Sequence, residues 1–205
     1  MRDLIIFLGR AVCHQLPGRS LGFGCCGPLP VCSRCTGIFL GVVVSHIYLY
    51  FFPNKSKAMP LLPVSLALVA LMVPLAADGV TSYLGLRETT NLVRLATGLG
   101  LGVSLPLLYM PLFQDDPARQ LPGRFGWLDL GVVVLAASAL GALVYSGLIS
   151  SWLFWSLLII AGHFLVYFNV IGVVLARFGI THKAWSLLGY VLFVLALSAL
   201  RSLVY

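Results

Sequence analysis

The feature of this sequence that most constrains its fold is a series of six long apolar runs with very few charged residues. Each run is close to the ~20 residues that an α-helix needs to cross the hydrocarbon layer of a membrane. The runs are continuous rather than alternating, which indicates helices and not barrel strands, because a helix satisfies its own backbone groups in lipid. The predicted spans cover residues 36–52, 61–80, 91–113, 128–145, 152–177 and 184–201.

The composition excludes an ordinary soluble domain. Of the 205 residues, 60% are hydrophobic and only 9% are charged, whereas soluble proteins are roughly a quarter charged. A soluble core of this size cannot bury that much apolar surface. The formal net charge is +7, and the basic residues sit at the ends of the apolar runs, which favours contact with anionic lipid over nucleic acid. We therefore expect an integral membrane protein whose first partner is the lipid bilayer and which binds no nucleic acid.

The segment before the first predicted span differs from the rest of the chain. Residues 1–35 contain all five cysteines, and residues 4–12 suit a short interfacial or re-entrant helix. We predict a single domain in which the Cys/His-rich segment 1–35 packs on a six-helix bundle formed by residues 36–205. Six spans place this segment on the same side of the membrane as the connection between spans two and three. Four arginines precede the first span, which favours the cytoplasmic side for the cysteines.

Two of the spans carry small residues at the spacing that lets membrane helices approach closely. Gly37 and Gly41 form a GxxxG pair in the first span, and Gly98 and Gly102 repeat this spacing in the third. These residues predict helix packing and no chemistry.

The cysteines predict a metal site. They occur as Cys13 next to His14, as the Cys25–Cys26 pair, and as the CxxC pair Cys32 and Cys35. A CxxC pair can place both sulfurs on one tetrahedral ion, zinc or another transition metal, with Cys or His elsewhere supplying further ligands. Adjacent side chains diverge, so either Cys13 or His14 is expected to ligate rather than both. Two alternatives stay open: a dithiol redox centre at the start of a helix, and inert thiols in turns.

A second polar cluster lies around the start of the third span. Arg87, Asn91, Arg94 and Gly98 are spaced +4, +3 and +4 and therefore share one face of a helix. Polar residues are costly in lipid and usually face a bundle interior or a wet cavity. Asp78 ends the second span at the same depth and can pair with Arg87 or Arg94.

Paired arginines beside an amide match the geometry of a phosphate. Arg19 and Arg34 can join such a clamp from the N-terminal segment. The alternative, also open, is that Asp78 only neutralises Arg94 and locks two helices together.

The residues of both clusters resemble a known family. The stretches CHQLPGRS at 13–20 and LPVCSRCTG at 29–37 resemble the uncharacterised prokaryotic membrane-protein family called domain of unknown function 2085. Seven residues look like the second motif of that family: Asp78, Thr81, Arg87, Asn91, Arg94, Thr97 and Gly98. The resemblance covers roughly the first hundred residues. It implies a prokaryotic cytoplasmic membrane and one shared site for both clusters, and it brings no established activity.

The leading functional hypothesis is a membrane-embedded, metal-dependent enzyme that acts on a phosphorylated or otherwise anionic lipid. The candidate catalytic residues are Asp78, as a base, and His14, beside a metal-bound water. The candidate substrate-binding residues are Arg19, Arg34, Arg87, Asn91 and Arg94. The alternatives are a metal or anion transporter or channel, a CxxC thiol-disulfide or quinone-linked redox protein, and a structural metal staple. A homo-oligomer is also left open.

Overall fold

The computed structural model describes residues 1–23, 27–112, 123–179 and 183–204. Seven α-helices lie in this part of the chain: α1 (Arg2–Arg10), α2 (Ser33–Phe51), α3 (Leu62–Tyr83), α4 (Asn91–Leu112), α5 (Trp127–Ser146), α6 (Trp152–Arg177) and α7 (Lys183–Val204). Two short strands, β1 (Gly22–Phe23) and β2 (Gly27–Pro28), pair antiparallel with Gly22 opposite Pro28.

The predicted fold class is confirmed. Six helices, α2 to α7, are long and apolar enough to cross a membrane, and α1 is the short helix expected before them. Three helix ends differ from the prediction by three residues: α2 begins at Ser33 rather than at residue 36, α3 ends at Tyr83 rather than at residue 80, and α7 ends at Val204 rather than at residue 201. Apolar length marks only the part of a helix inside the hydrocarbon, so a polar first turn outside it leaves no signal. The last residue of the predicted third span, Phe113, lies outside the described residues.

The contacts between Cα atoms divide the chain into two compact units, residues 1–32 with 150–205 and residues 33–149. The expected division at residue 35 stays a prediction. In the first unit α1 packs against α6 and α7. The Ser198 hydroxyl donates a hydrogen bond to the Phe7 carbonyl at 2.8 Å, and Arg201 donates to the Arg10 carbonyl at 3.0 Å. The N-terminal helix is therefore tied to the last turns of α7.

Gln15 organises the loop that follows α1. Its φ of 52° is in the left-handed region, where a residue other than glycine persists only if its surroundings hold it. The side-chain amide donates to the Ile6 carbonyl at 2.6 Å and to the Pro30 carbonyl at 2.9 Å. Gly9 lies so close to the Pro30 carbonyl that a Cβ would collide with it. Gln15 thus ties α1 to the segment that leads into α2.

In the second unit, α2 and α4 pack backbone to backbone through their glycines. Gly37 lies against the Leu95 carbonyl, and the site of a Cβ on Gly41 is 2.8 Å from the Val103 nitrogen. Gly102 in turn lies against the Ile38 carbonyl. The predicted packing role of both GxxxG pairs is confirmed, and the order of the contacts makes α2 and α4 parallel.

Helix α3 returns beside α4 and runs antiparallel to it. The Leu71 carbonyl of α3 lies against Gly100 of α4, with 2.6 Å from that oxygen to the site of a Cβ. Because α3 ends at Tyr83 and α4 begins at Asn91, the last turns of α3 lie at the same edge as the first turns of α2 and α4. This edge carries the polar residues that form the candidate site.

The opposite edge of the second unit is fixed by Asp129, in the first turn of α5. Its carboxylate accepts hydrogen bonds from the Gly126 backbone N–H at 2.7 Å and from the Lys55 ammonium at 2.9 Å. The Tyr48 hydroxyl, near the end of α2, donates to the other carboxylate oxygen. These contacts cap α5 and join it to the end of α2.

Candidate metal and anion sites

Cys13 and Cys32 lie side by side in the first unit. Cys13 follows α1 and is 4% exposed, and its sulfur accepts a hydrogen bond from the Cys32 backbone N–H at 3.1 Å. Gln15 links the loop that carries Cys13 to the segment that carries Cys32, since its amide donates a hydrogen bond to the carbonyl of Pro30, two residues before Cys32. The hydrogen bond from Cys32 holds Cys13 beside the first cysteine of the CxxC motif, and the thiolate is the form of cysteine that binds metal.

Cys35 completes the cluster. It lies in the first turn of α2, and the three-residue step from Cys32 along the continuous chain keeps the two cysteines near each other. The sulfurs of Cys13, Cys32 and Cys35 all lie within 4.8 Å of one another. Zinc–sulfur bonds of about 2.3 Å in a tetrahedron place sulfurs about 3.8 Å apart. The three sulfurs therefore suit one tetrahedral ion, with a fourth position for water or another ligand.

The structure includes Cys13, and not His14, among these ligand atoms. His14 is exposed and does not belong to the cluster found in the described part of the chain. Neighbouring side chains point in different directions, so the buried Cys13 sulfur and the exposed imidazole separate as expected. Cys25 and Cys26 lie outside the described residues.

Asp78 is the centre of the polar cluster in the second unit. It lies in α3 and is 3% exposed. The Arg34 guanidinium donates to Asp78 Oδ2 through both Nη2 and Nε, the latter at 3.1 Å, and Arg87 Nη2 donates to Oδ1 at 3.1 Å. Each carboxylate oxygen thus has its own arginine. The Arg34 side chain is 15% exposed and that of Arg87 is 55% exposed.

The packing of α2 on α4 brings Arg34 to Asp78. Gly98 lies directly against the Arg34 carbonyl, at a distance that leaves no room for a Cβ. This contact seats the first turn of α2 on α4, beside the end of α3. The sequence predicted that Asp78 pairs with Arg87 or Arg94, and the pair with Arg87 is confirmed. It named Arg34 as a residue that can join the cluster but not as a partner of Asp78.

A cavity of about 360 Å³ opens beside Asp78, between α3 and α4. Its lining residues are Pro74, Ala77, Asp78, Thr81, Arg87, Val93 and Thr97. The two threonine hydroxyls donate to carbonyls of their own helices, Thr81 to Ala77 at 2.7 Å and Thr97 to Val93 at 2.9 Å. Arg87 is the cation that lines this cavity. Two guanidinium groups against one carboxylate give this cluster a net positive charge, which suits an anionic ligand.

Arg94, Asn91 and Arg19 are the other predicted substrate-binding residues. Arg94 is 8% exposed, and its Nη1 donates to Asn91 Oδ1 at 3.2 Å within the first turn of α4. Arg19 ends a short 3-10 helix, Pro17–Arg19, in the first unit.

Sequence reasoning missed the role of Gln15. Its left-handed backbone and its two carbonyl partners, Ile6 and Pro30, depend on tertiary packing. The available signal was its place inside the CHQLPGRS stretch, two residues after Cys13.

The helices and the polar edge define a polytopic α-helical membrane protein with clustered thiols and a buried arginine–aspartate cluster. Comparison with known proteins agrees with this class. The family model described as predicted membrane protein (DUF2085) matches residues 13–108. No solved structure matches the chain.

Two archaeal relatives carry the identification further. An uncharacterized protein of Methanothermobacter thermautotrophicus is 42% identical over 100 residues, which cover 48% of this chain and 85% of the relative. An uncharacterized protein of Methanocaldococcus jannaschii is 38% identical over 103 residues, which cover 50% of this chain and 64% of the relative. The chain belongs to the DUF2085 family, as its two motifs indicated. The matched segment contains both the three clustered cysteines and the arginines that pair with Asp78.

Proposed function

We propose that this protein is a membrane-embedded, metal-dependent enzyme that acts on a phosphorylated or anionic lipid. One observation carries the proposal: Arg34, which stands between Cys32 and Cys35 in the CxxC motif, is ion-paired with the buried Asp78. A residue flanked by candidate metal ligands therefore belongs to the polar cluster that opens into the cavity of the second unit.

The thiols supply the metal-binding half of the proposal. Three cysteine sulfurs within 4.8 Å of one another match the soft ligands that zinc and similar ions prefer. A site with three protein ligands keeps one position open, and zinc bound in this way makes a water molecule a nucleophile near neutral pH. His14, which is exposed, is the proposed group for proton transfer.

The arginines supply the anion-binding half. Asp78 holds Arg34 and Arg87 in place, and Arg87, whose side chain is 55% exposed, is open to a ligand in the cavity. The guanidinium fork matches two oxygens of a phosphate. With both carboxylate oxygens bonded to arginines, Asp78 serves first to position these cations and second as a candidate base. Arg19, Asn91 and Arg94 remain proposed contacts for the rest of a headgroup.

Metal content tests the first half. We expect elemental analysis of the full chain, purified in mild detergent, to find about one zinc per chain, because three thiolates can hold one tetrahedral zinc ion. The double variant Cys32→Ser, Cys35→Ser should lose the metal, and Ser56→Ala, at a half-buried serine beyond the other end of α2, should keep it. Mass spectrometry after thiol alkylation completes the test. A native Cys32–Cys35 disulfide in a metal-free protein would replace this proposal with the redox alternative.

Lipid turnover tests the second half. The metal-loaded protein is incubated with mixed micelles of phosphatidic acid, or with inorganic phosphate or neutral phosphatidylcholine as separate arms, and the products are followed by mass spectrometry. Metal-dependent change of the anionic lipid, reduced in Arg87→Gln at unchanged metal content, supports the enzyme. If metal removal only lowers thermal stability and no anionic lipid is changed, the metal is a structural staple and the enzyme proposal is wrong.

A further inference from the structure

We propose that Arg34 couples occupancy of the thiol site to anion binding in the Asp78 cavity, so that each ligand strengthens binding of the other. This inference rests on the proposed function and adds its regulation: Arg34 is a positioning residue, and the anion it favours is of the phosphate class. Three observations support this coupling: the place of Arg34 between Cys32 and Cys35, its contacts within the second unit, and the charge of the cavity.

The first step is the place of Arg34 in the chain. Only Ser33 and Arg34 separate the two cysteines of the CxxC motif. When both sulfurs bind one ion, the backbone between them is held in a single conformation, because the bonds to the metal close a short ring. An unliganded CxxC segment has no such restraint, and the position of the Arg34 backbone then depends on packing alone.

The second step is the rigidity of the contacts around Arg34. Ser33 is 0% exposed, and the Arg34 carbonyl lies against Gly98 of α4 without room for a Cβ. Both Nε and Nη2 donate to the same oxygen of Asp78. A displaced backbone therefore cannot keep both hydrogen bonds, and the loss of metal is expected to weaken the Arg34–Asp78 ion pair.

The third step is the charge that the cavity presents. With Arg34 in place, the Asp78 carboxylate has a cation on each oxygen, and Arg87, at 3.1 Å from Oδ1, keeps positive charge for a ligand. Without Arg34, one buried oxygen lacks its cation and its negative charge repels an anion. Binding linkage is reciprocal, so an anion that selects the paired arrangement also strengthens metal binding.

The test compares metal affinity with and without an anion in the full chain in detergent. Zinc affinity is measured by competition with a chromophoric chelator, in phosphatidylcholine micelles and in micelles that contain phosphatidic acid, with inorganic phosphate as a third arm. Coupling between sites is typically 5-fold or more, and we expect phosphatidic acid to tighten zinc binding by at least about 5-fold. An equal effect of inorganic phosphate would assign the ligand as free phosphate rather than a lipid headgroup.

Variants assign the coupling to Arg34. In Arg34→Gln the tightening should disappear, and it is expressed as the ratio of zinc affinities with and without the anion in the same variant, so that a change in zinc affinity alone does not count. Lys57→Gln is the matched control, because it removes one exposed positive charge beyond the other end of α2 and should keep the full effect. If Arg34→Gln does not purify, Arg34→Lys takes its place. One ammonium cannot reproduce the two guanidinium contacts, so a smaller effect is expected there.

The outcomes separate this inference from the proposed function. If the parent protein binds zinc and phosphatidic acid with no mutual effect, or if the Arg34 variant keeps the full effect, the coupling is overturned while the proposed sites stand. If the parent protein binds no metal, the proposed function fails and the coupling fails with it.

Discussion

At the scale of single residues, the candidate ligands were visible before the arrangement that joins them. The CxxC motif and the arginines near the third span marked both clusters by residue type. The pairing of Asp78 with Arg34 was harder to predict than its pairing with Arg87, because the ion pair to Arg34 joins residues that are 44 positions apart. Which arginine reaches the carboxylate depends on how α2 is rotated against α3, and spacing within one helix carries no such information.

Asp78→Asn tests the buried ion pairs. The change leaves Arg34, 15% exposed, without its carboxylate, and breaking one side of a buried pair typically costs 3–5 kcal/mol. We expect the unfolding free energy in detergent to fall by about 3 kcal/mol or more. Arg87→Gln, at a half-exposed partner, should cost less than about 1 kcal/mol. Thermal unfolding followed by tryptophan fluorescence compares the two variants. Equal losses of unfolding free energy would contradict a larger contribution from the buried Arg34–Asp78 pair.

Gln15→Ala tests the left-handed loop residue. Alanine keeps the strained φ of 52° and removes both side-chain hydrogen bonds, each worth about 1 kcal/mol. We expect a loss of about 2 kcal/mol and weaker zinc binding, because Gln15 fixes the segments that carry Cys13 and Cys32. Chelator competition measures the second effect. Unchanged zinc affinity in a folded Gln15→Ala protein would remove Gln15 from the support of the metal site.

At the scale of helices, hydrophobic length was sufficient to predict the spans, and glycine spacing was sufficient to predict the faces through which α2 and α4 pack. All six spans were predicted, and both GxxxG pairs lie where α2 and α4 touch. The ends of the helices were less certain, because the polar first turn of α2 resembles a loop in composition. That turn contains both Arg34 and Cys35, so residues of both candidate sites lie in a part of α2 that hydropathy does not identify as helix.

Gly98→Ala tests the contact that seats α2 on α4. A methyl group at this position collides with the Arg34 carbonyl, and overpacking of a well-packed contact costs about 1–3 kcal/mol. Gly79→Ala is the matched control, since a Cβ there has no heavy atom within 4 Å. The control should be neutral or more stable by up to about 1 kcal/mol, because alanine favours helix. Equal stability of the two variants would contradict the close contact.

At the scale of the whole molecule, the number of spans determines the topology. Six candidate spans among the described residues predict that both termini lie on one side of the membrane, and the contacts of α1 with the last turns of α7 agree with this. Arg2, Arg10 and Arg19 before α2, and Arg34 in its first turn, favour the cytoplasmic side. We expect a green fluorescent protein fusion at either end to fluoresce and an alkaline phosphatase fusion at either end to stay inactive. Opposite results at the two termini would contradict the span count, and reversed results at both would reverse the orientation.

The sequence by itself determined the membrane class, the six spans, the glycine faces and the residue types of both sites, because each of these follows from composition or spacing along a short stretch of chain. The tertiary structure decided that Arg34 pairs with Asp78, that Cys13 rather than His14 joins the CxxC pair, and that Gln15 supports the loop between them. These outcomes depend on the rotation of packed helices and on the backbone conformation of one loop. Both are set by contacts between residues far apart in the chain, which local patterns do not encode.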